Sequence, residues 1–304
     1  MLIGFGLPQI GAFANPESLI AVSRRAEELG FNSVWVFDRL LCPLEPKVPY
    51  PLTGGALPEG YQHVLDPVEM LTFVAGLTER VALGTSVLNL PWYNPALLAR
   101  RLTTLDVLSH GRLRLGFGIG WLPDEYEAAG VPWNSRGKRA DETLDALKAW
   151  WTTEPVQAEG TFFKISKSNI KLKPVQKPHP PIYMAAFTPG AMKRAAREAD
   201  GWFPVGVPLS AVPQMFDSIR DMVRQAGRDA DSFKLIVRGN LEISGSSREQ
   251  RNDFSGTLED VARDIERTKS LGAHELVLDV QFSPDVHTLE DILRYMEDIR
   301  RIAF

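Results

Sequence analysis

The sequence RLRLGFGIGWLPDEYEAAG, residues 112–130, changes character twice along its length. Its first residues alternate leucine with arginine, which is the two-residue period of a β-strand. Three glycines spaced two apart then remove the side chains, so that a bulky group can approach the backbone closely. Pro123 and the two acidic residues after it are typical of a helix start. The segment therefore predicts a strand, a flat backbone shelf and a helix.

The glycines of this segment resemble a dinucleotide-binding fingerprint only in part. That fingerprint places a pyrophosphate on the helix N-terminus, where Asp124 and Glu125 would repel it. We therefore interpret the shelf as a platform for a planar ring or a substrate, with Glu125 and Tyr126 beside it. The alternative is a tight loop in front of an ordinary capped helix, and these residues leave both interpretations open.

The rest of the chain alternates short apolar runs with amphipathic segments, which predicts alternating strands and helices. Strands are expected in seven further runs, at residues 2–7, 33–37, 81–88, 181–186, 201–205, 234–238 and 275–280. Helices are expected at residues 16–29, 66–77, 95–108, 135–151, 188–199, 211–225, 258–271 and 289–302. This rhythm predicts one domain over residues 1–304, an α/β fold of the (β/α)8 TIM-barrel type. An open doubly wound sheet is the alternative.

Two segments interrupt the rhythm. Residues 152–180 hold alternating segments and prolines, which predict a β-hairpin-like insertion between the fourth helix and the fifth strand. Residues 42–66 contain many prolines and glycines, which predict a long loop after the second strand. In a barrel, such a loop would cover a substrate bound at the mouth.

Composition limits the classes of function. The 304 residues are 44% hydrophobic and 24% charged with a net charge of −4, so we expect no nucleic acid and no anionic membrane as partner. The N-terminus lacks the basic region of a signal peptide, and the longest apolar run, around residues 68–90, is interrupted by charges. A single cysteine, Cys42, excludes an internal disulfide. We therefore expect a cytoplasmic protein that does not span a membrane.

The candidate functional residues are those that follow the predicted strands, because a barrel of this type places its active site at their carboxyl ends. They lie at Asp38, Arg39 and Arg238 and in the segments 85–87, 116–121 and 186–190. Asp38 and Arg39 are candidates for a general acid or base with an electrostatic partner. The alternative is an ion pair that only closes a strand.

The segment AAFTPGAMKRAAREADG, residues 185–201, carries the clearest signal for an anion. Thr188 can cap the helix, Gly190 leaves room for a ligand, and Lys193 and Arg194 add positive charge ahead of the first acid, Glu198. This predicts a phosphate site, with a capped helix that holds no ligand as the alternative. Five lysines in the insertion would attract an acidic ligand tail or form an ordinary solvated face.

Metal and hydrolytic chemistry are not indicated. The histidines show no metal-ligand spacing, and the chain has no G-x-S-x-G nucleophile motif. Four tryptophans at or near strand ends would line a ring pocket or pack in the core: Trp35, Trp92, Trp121 and Trp202.

Taken together, four stretches resemble the bacterial luciferase-like monooxygenase superfamily, and within it the oxidoreductases that depend on the deazaflavin coenzyme F420. The stretches are FNSVWVFDRL, ERVALGTSVLNLPWYNPALLARRLTTLDVLSHGRLRLGFGIGW, DEYEAAGVPWNSRGKRADETL and HPPIYMAAFTPGAMKRAAREADGW. The resemblance implies a (β/α)8 barrel with the ring of F420 or FMN in its mouth. It also implies a non-prolyl cis peptide at Ser86-Val87, in a bulge that backs the ring.

The same resemblance assigns cofactor contacts to residues of this chain. Asp38 would contact the ring or lie on the substrate side. The ring would be supported by three consecutive residues, Thr85, Ser86 and Val87. Two residues would pack along the cofactor, Gly118 and Ile119. The phosphate would be held by the backbone N–H groups of Ala186, Phe187 and Thr188.

Two positions depart from the family pattern. The family usually has histidine after the aspartate, and here Arg39 replaces a titratable imidazole with a fixed cation. F420-dependent sugar-phosphate dehydrogenases of this fold carry a glutamate where Trp121 stands, which argues against that activity.

The leading hypothesis is an F420-dependent oxidoreductase that transfers a hydride between the deazaflavin and a small organic substrate. Asp38 is the candidate for proton handling, Arg39 for charge stabilisation or substrate binding, and Glu125 is a further catalytic candidate. One alternative is an FMN-dependent monooxygenase supplied by a separate flavin reductase. Another is a flavin- or deazaflavin-binding protein without turnover. The family resemblance also implies a homodimer.

Overall fold

The computed structural model of the protein describes residues 1–244 and 251–304. Within these residues, eight parallel strands close into a barrel surrounded by helices, which confirms the (β/α)8 fold. The barrel strands, in chain order β1 to β8, are Leu2–Gly6, Ser33–Val36, Ala82–Thr85, Leu113–Gly118, Ile182–Met184, Gly201–Trp202, Lys234–Asn240 and Glu275–Asp279. Each lies within or overlaps a strand expected from the sequence.

The barrel closes through pairs of neighbouring strands that all run in the same direction. Around the barrel the order is β3, β2, β1, β8, β7, β6, β5 and β4, and β3 pairs with β4 through Leu83 and Leu113 to complete the ring. In this order β7 lies four strands away from β3, so these two strands face each other across the barrel. All eight carboxyl ends therefore meet at one mouth.

The helices pack outside the barrel. In chain order, α1 to α9 are Pro16–Glu28, Pro67–Ala75, Pro95–Leu108, Pro123–Ala128, Arg136–Thr152, Pro189–Glu198, Val212–Gln225, Leu258–Ser270 and Leu289–Ala303. Four of them start in the same way, with proline in the first turn and a side-chain oxygen that accepts a backbone N–H, at Asn15, Asp66, Asn94 and Thr188. This local chemistry explains why the helix starts were readable from sequence.

The predicted insertion is a two-stranded antiparallel hairpin, Val156–Glu159 paired with Lys164–Ser168. It lies between β5 and the helix expected at residues 135–151, which is α5 because α4 starts at Pro123, where the sequence predicts a helix start. The long connection at residues 42–66 contains a single turn of 3-10 helix, Glu59–Gln62.

The third strand is shorter than the sequence suggested. An uninterrupted strand over residues 81–88 was expected, but β3 ends at Thr85 and the chain resumes as a two-residue strand, Leu88–Asn89, that pairs with the end of β4. The two residues between them, Ser86 and Val87, are joined by a cis peptide bond, as the family resemblance implied. They form a ridge at the barrel mouth, defined here as the 86–87 ridge.

Trp35 fills the barrel interior and does not line a ring pocket. Its side chain is fully buried, and a Cβ added at Gly4 or Gly84 would collide with its indole. The indole N–H donates to Ser33 Oγ at 2.6 Å, and Glu275 accepts from the same N–H and from Arg114. Small residues on neighbouring strands therefore make room for one large side chain, as close packing requires.

Candidate active site

A cavity of about 410 Å³ opens at the carboxyl ends of the barrel strands. Of the eleven residues to which a catalytic or cofactor-binding role was assigned from sequence, seven line it: Asp38, Arg39, Ser86, Val87, Gly118, Ile119 and Phe187. Four others lie next to the cavity or behind its wall: Thr85, Glu125, Ala186 and Thr188. The remaining walls come from the 42–66 connection and from the ends of β6, β7 and β8.

Two glycines near the end of the fourth strand accommodate the 86–87 ridge. A Cβ on Gly118 would lie 2.6 Å from Cγ2 of Val87, and one on Gly116 would overlap the carbonyl oxygen of Thr85. The Thr85 hydroxyl donates to the Gly116 carbonyl and accepts from its N–H, both at 2.9 Å. The interpretation of these glycines as a bare platform for a ligand was therefore incomplete, because their first role is to let the ridge pack closely.

Arg238 holds the ridge from the opposite side of the barrel. Its Nη1 donates to the Ser86 hydroxyl at 2.8 Å and to the Ser86 carbonyl at 3.2 Å, while its Nη2 is paired with Asp279. The Gln281 side-chain amide donates to both oxygens of that carboxylate, at 3.2 and 3.1 Å, and Gln281 Oε1 accepts from the backbone of Gln9. Sequence reasoning noted Arg238 only as a residue near a strand end and missed Asp279 and both glutamines.

Asp38 is the buried carboxyl group of the site, with only 7% of the residue exposed. One oxygen, Oδ2, accepts from the Asn89 backbone N–H at 2.9 Å and from the Tyr93 hydroxyl at 3.0 Å. Burial raises the pKa of Asp38 to about 6, although these two donors favour the charged form. The group can therefore exchange a proton near neutral pH.

Arg39 forms a buried ion pair with Glu125. Its Nη1 lies 2.9 Å from Oε2 of Glu125, and the side chains are 6% and 0% exposed. The second carboxylate oxygen accepts from the Leu40 backbone N–H at 2.8 Å. Burial raises the pKa of Glu125 to about 7, against the opposing effect of the Arg39 guanidinium. Glu125 thus lies behind Arg39 and not on the cavity surface, so it would act through Arg39.

Aromatic rings form the outer wall of the cavity. Tyr50 contacts both Tyr61 and Trp121, with ring centroids 6.0 and 5.8 Å apart. Phe37 and Phe282 extend the same cluster beside Tyr61. The guanidinium of Arg39 lies 4.9 Å from the ring centroids of Tyr61 and Trp121. Of the tryptophans expected near the ring, Trp121 therefore lies at the cavity, whereas Trp202 is buried beside Phe216.

The N-terminus of α6 lies at the edge of the cavity. Thr188 caps it by accepting the Ala191 N–H at 3.4 Å, and the first turn contains no acidic residue. Phe187 and Thr188 are exposed, and a Cβ on Gly190 would meet no atom within 4 Å. Arg194 does not add charge here, because it is paired with Asp141 on α5 at 2.7 Å. The exposed N–H groups remain suited to an anion.

The sequence left open whether the lysines of the insertion attract an acidic ligand tail or form an ordinary solvated face. Lys164 pairs with Glu159, and Lys171 pairs with Glu154. Lys173 donates to the backbone carbonyls of Trp150 and Thr153, at the C-terminal end of α5. These lysines are used largely within the hairpin and its supports. They therefore give no support to a surface for an acidic ligand tail.

In residues 1–244 and 251–304, no group of three or more His, Cys, Asp or Glu side chains is arranged to hold a metal ion. None of the helices in that part of the chain has the length and apolar character needed to cross a membrane.

Comparison with known proteins places this geometry in a family. The sequence profile of the luciferase-like monooxygenase family matches residues 4–284. An F420-dependent glucose-6-phosphate dehydrogenase from Amycolatopsis mediterranei (strain U-32) is 34% identical over 232 residues, 75% of this chain and 64% of that protein. An FMNH(2)-dependent dimethylsulfone monooxygenase from Pseudomonas putida is 33% identical over 177 residues, 57% of this chain and 48% of that protein.

A solved structure has the same fold over its whole length. Monooxygenase RslO1 from Streptomyces bottropensis superimposes with a TM-score of 0.83 at 24% identity, covering 99% of this chain and 98% of that chain. The family thus includes F420-dependent and FMN-dependent members among the relatives of this protein. The match over residues 4–284 and the barrel with its mouth cavity lead to one conclusion: the chain belongs to the luciferase-like monooxygenase family.

Proposed function

We propose that the protein is an F420-dependent oxidoreductase that transfers a hydride between the deazaflavin and a small organic substrate. One observation carries this proposal: a single cavity brings the 86–87 ridge together with the buried carboxyl group of Asp38. The ridge offers an apolar support for a flat ring. Asp38, which follows the neighbouring strand β2, offers a proton at the same cavity.

The residues present fit such a cofactor. Val87, Gly118 and Ile119 form an apolar edge without a charged group, which suits a planar ring. The capped N-terminus of α6 would hold the phosphate through its backbone N–H groups, near Phe187 and Thr188. When bound, F420 supplies a carbon centre that gives or accepts a hydride.

The protein's own residues orient the substrate and move its proton. Asp38 exchanges a proton near its pKa of about 6, which suits an acid or base at physiological pH. Arg39 stays charged and binds the substrate oxygen, since a guanidinium cannot act as a proton donor in this range. Glu125 fixes the position of Arg39 through their 2.9 Å ion pair. The aromatic wall excludes water from the reacting atoms.

F420 is favoured over FMN by the extent of sequence similarity. The F420-dependent relative aligns over 75% of this chain, and the FMNH(2)-dependent relative over 57%. That second relative supports the alternative of an FMN-dependent monooxygenase with a separate flavin reductase. Arg39 at the usual histidine position supports the other alternative, a cofactor-binding protein without turnover.

The cofactor is tested by titrating the purified protein with F420 and, in parallel, with FMN, while cofactor fluorescence is followed at physiological salt. We expect F420 to bind at least about tenfold more tightly than FMN, a difference of about 1.4 kcal/mol. A preference for FMN would support the monooxygenase. If neither F420 nor FMN binds, the proposed activity is wrong, whereas the assignment of the fold is unaffected.

We also propose a cytoplasmic homodimer. Its interface would include α2 and α3, which pack together and expose large apolar side chains at Phe73, Leu97 and Leu108, with exposures of 42, 63 and 55%. Large apolar side chains exposed on packed helices are a feature of protein interfaces. Light scattering of the wild type and of Leu97→Glu tests this, with a dimer expected for the first and a shift to monomer for the second.

A further inference from the structure

The carboxyl groups around the cavity outnumber the cations. Two guanidinium groups line it, Arg39 and Arg238, and each has its own buried carboxylate, Glu125 and Asp279. Asp38 is a third carboxyl group, and its hydrogen bonds in the described structure come from an amide and a hydroxyl. Among the described residues, the lining contains no lysine and no histidine. Every cation at the cavity is therefore already neutralised.

This balance acts against an anionic substrate. A carboxylate or phosphate placed beside the rings would lose hydration without gaining an uncompensated cation, and Asp38 would repel it when ionised. An uncharged oxygen needs only one hydrogen-bond donor. Arg39 still has hydrogen-bonding capacity toward the cavity, because its side chain lines the cavity and its pairing with Glu125 uses only Nη1.

The rest of the substrate side favours a flat apolar body. Tyr50, Tyr61 and Trp121 form a continuous aromatic wall beside the Arg39 guanidinium. Phe282 lies 6.0 Å from Tyr61 and continues this wall along the cavity. Aromatic walls bind flat rings through large contact areas and edge-to-face or offset packing.

We propose that the substrate is an uncharged, ring-bearing carbonyl compound, or the corresponding alcohol, with its oxygen on Arg39 and its ring against the aromatic wall. This inference rests on the proposed function and extends it to the class of substrate. In reduction, the carbonyl carbon accepts the hydride of reduced F420 and the π electrons move to oxygen. That oxygen takes the proton of the Asp38 carboxylic acid, so the carbonyl becomes an alcohol and the deazaflavin is oxidised. Oxidation of the alcohol runs in reverse.

The first test compares probes that differ in charge. Acetophenone, 4-acetylbenzoate and glucose 6-phosphate are titrated by calorimetry into the protein with and without F420, at pH 8. At this pH Asp38 and Glu125 are both ionised, since burial raises the pKa of Asp38 to about 6 and that of Glu125 to about 7. We expect acetophenone to bind at least about tenfold more tightly than 4-acetylbenzoate, and we expect no binding of glucose 6-phosphate.

A pair of variants on one helix then tests the cause. Glu125→Gln keeps the shape of the Arg39 partner and removes its charge, so it should raise the affinity for 4-acetylbenzoate relative to that for acetophenone about tenfold. Glu127→Gln is the control, because Glu127 is 72% exposed and pairs with Lys47 at the surface. It should change neither affinity. Thermal unfolding of both variants checks that they are folded.

The outcomes separate this inference from the proposed function. If F420 binds but 4-acetylbenzoate binds as tightly as acetophenone, or neither ketone binds, the inference is wrong and the proposed function stands. If glucose 6-phosphate binds to the F420-loaded protein, the inference is also wrong. If F420 does not bind while acetophenone is still preferred, the proposed function fails and the charge selectivity of the cavity stands.

Discussion

Arg238 and Ser86 are 152 positions apart in the chain and are joined by two hydrogen bonds at the barrel mouth. One arginine nitrogen binds both the hydroxyl and the carbonyl of Ser86. Because Arg238 lies on β7 and Ser86 follows β3, the contact spans the barrel. The position of the 86–87 ridge therefore depends on a residue from the other half of the chain.

Replacement of Arg238 should destabilise the protein and weaken cofactor binding. Arg238→Ala leaves the Asp279 carboxylate, which is 2% exposed, buried without its cation. We expect a loss of about 3–5 kcal/mol in the free energy of unfolding, measured with urea. Arg238→Lys keeps the charge but loses one of the contacts to Ser86, so F420 affinity should fall more than stability does.

Arg224→Ala is the matched control for the arginine deletion. Its partner, Asp221, is three residues away and both side chains are more than half exposed. Such surface pairs contribute little, so we expect a change within about 0.5 kcal/mol. Equal losses for the two variants would show that the pair at the mouth is not structurally important.

Gly118→Ala should move the ridge. The added methyl group would lie 2.6 Å from Val87, so the ridge or β4 must shift to relieve the overlap. We expect F420 affinity to fall about tenfold and stability to fall by about 1–3 kcal/mol. Gly76→Ala is the control at the end of α2, where the new methyl group makes ordinary contact at 3.6 Å. An unchanged F420 affinity in Gly118→Ala would show that the 86–87 ridge does not contribute to cofactor binding.

Gly190 tests the anion site at α6. Gly190→Ala adds a methyl group in open space, whereas Gly190→Asp adds a negative charge within the first turn. An aspartate at this N-terminus would repel a bound anion. We therefore expect F420 to bind Gly190→Asp at least about tenfold more weakly than Gly190→Ala. Fluorescence titration measures both. Equal affinities of the two variants for F420 would mean that the cofactor phosphate does not bind at this helix.

Asp38→Asn should stabilise the protein at alkaline pH. The pKa of Asp38 is raised from 3.8 to about 6 in the folded state, so the folded protein binds more protons than the unfolded chain between these values. Wild-type stability therefore falls as pH rises through this range, and the asparagine variant avoids that loss. We expect the variant to gain about 1–3 kcal/mol relative to wild type between pH 4 and pH 8.

Urea unfolding at both pH values measures this gain. Glu125 also titrates, with a pKa raised to about 7, but it is present in both proteins and its contribution largely cancels in the difference. An equal difference at the two pH values would mean that Asp38 has an ordinary pKa. Loss of turnover in the same variant would agree with its proposed role in proton transfer.

The fold was readable from sequence because its signals are local. Short apolar runs fixed the strands, and Asn-Pro and Asp-Pro pairs marked the starts of α1, α2 and α3. The interruption of β3 was not visible in its composition, since residues 81–88 form one largely apolar run without proline. It was expected only from the family resemblance.

The site was readable only in part because its contacts are distant in sequence. Arg39 and Glu125 were both selected, yet nothing in the sequence indicated that they pair across 86 positions. Arg238 and Asp279 are separated by 41 positions and meet on adjacent strands. The direction of a side chain, as at Trp35, depends on which glycines face it from neighbouring strands. Such facts follow from register, which a single sequence does not specify.

The 42–66 connection gives the site a modular construction. It contributes Tyr50, Leu52 and Tyr61 to the cavity, while the 86–87 ridge and Gly118 belong to the barrel itself. A transplant of this connection from another family member would therefore exchange the wall that meets the substrate and keep the support for the cofactor. Chimeras of this kind offer a route to new substrate ranges on one unchanged barrel.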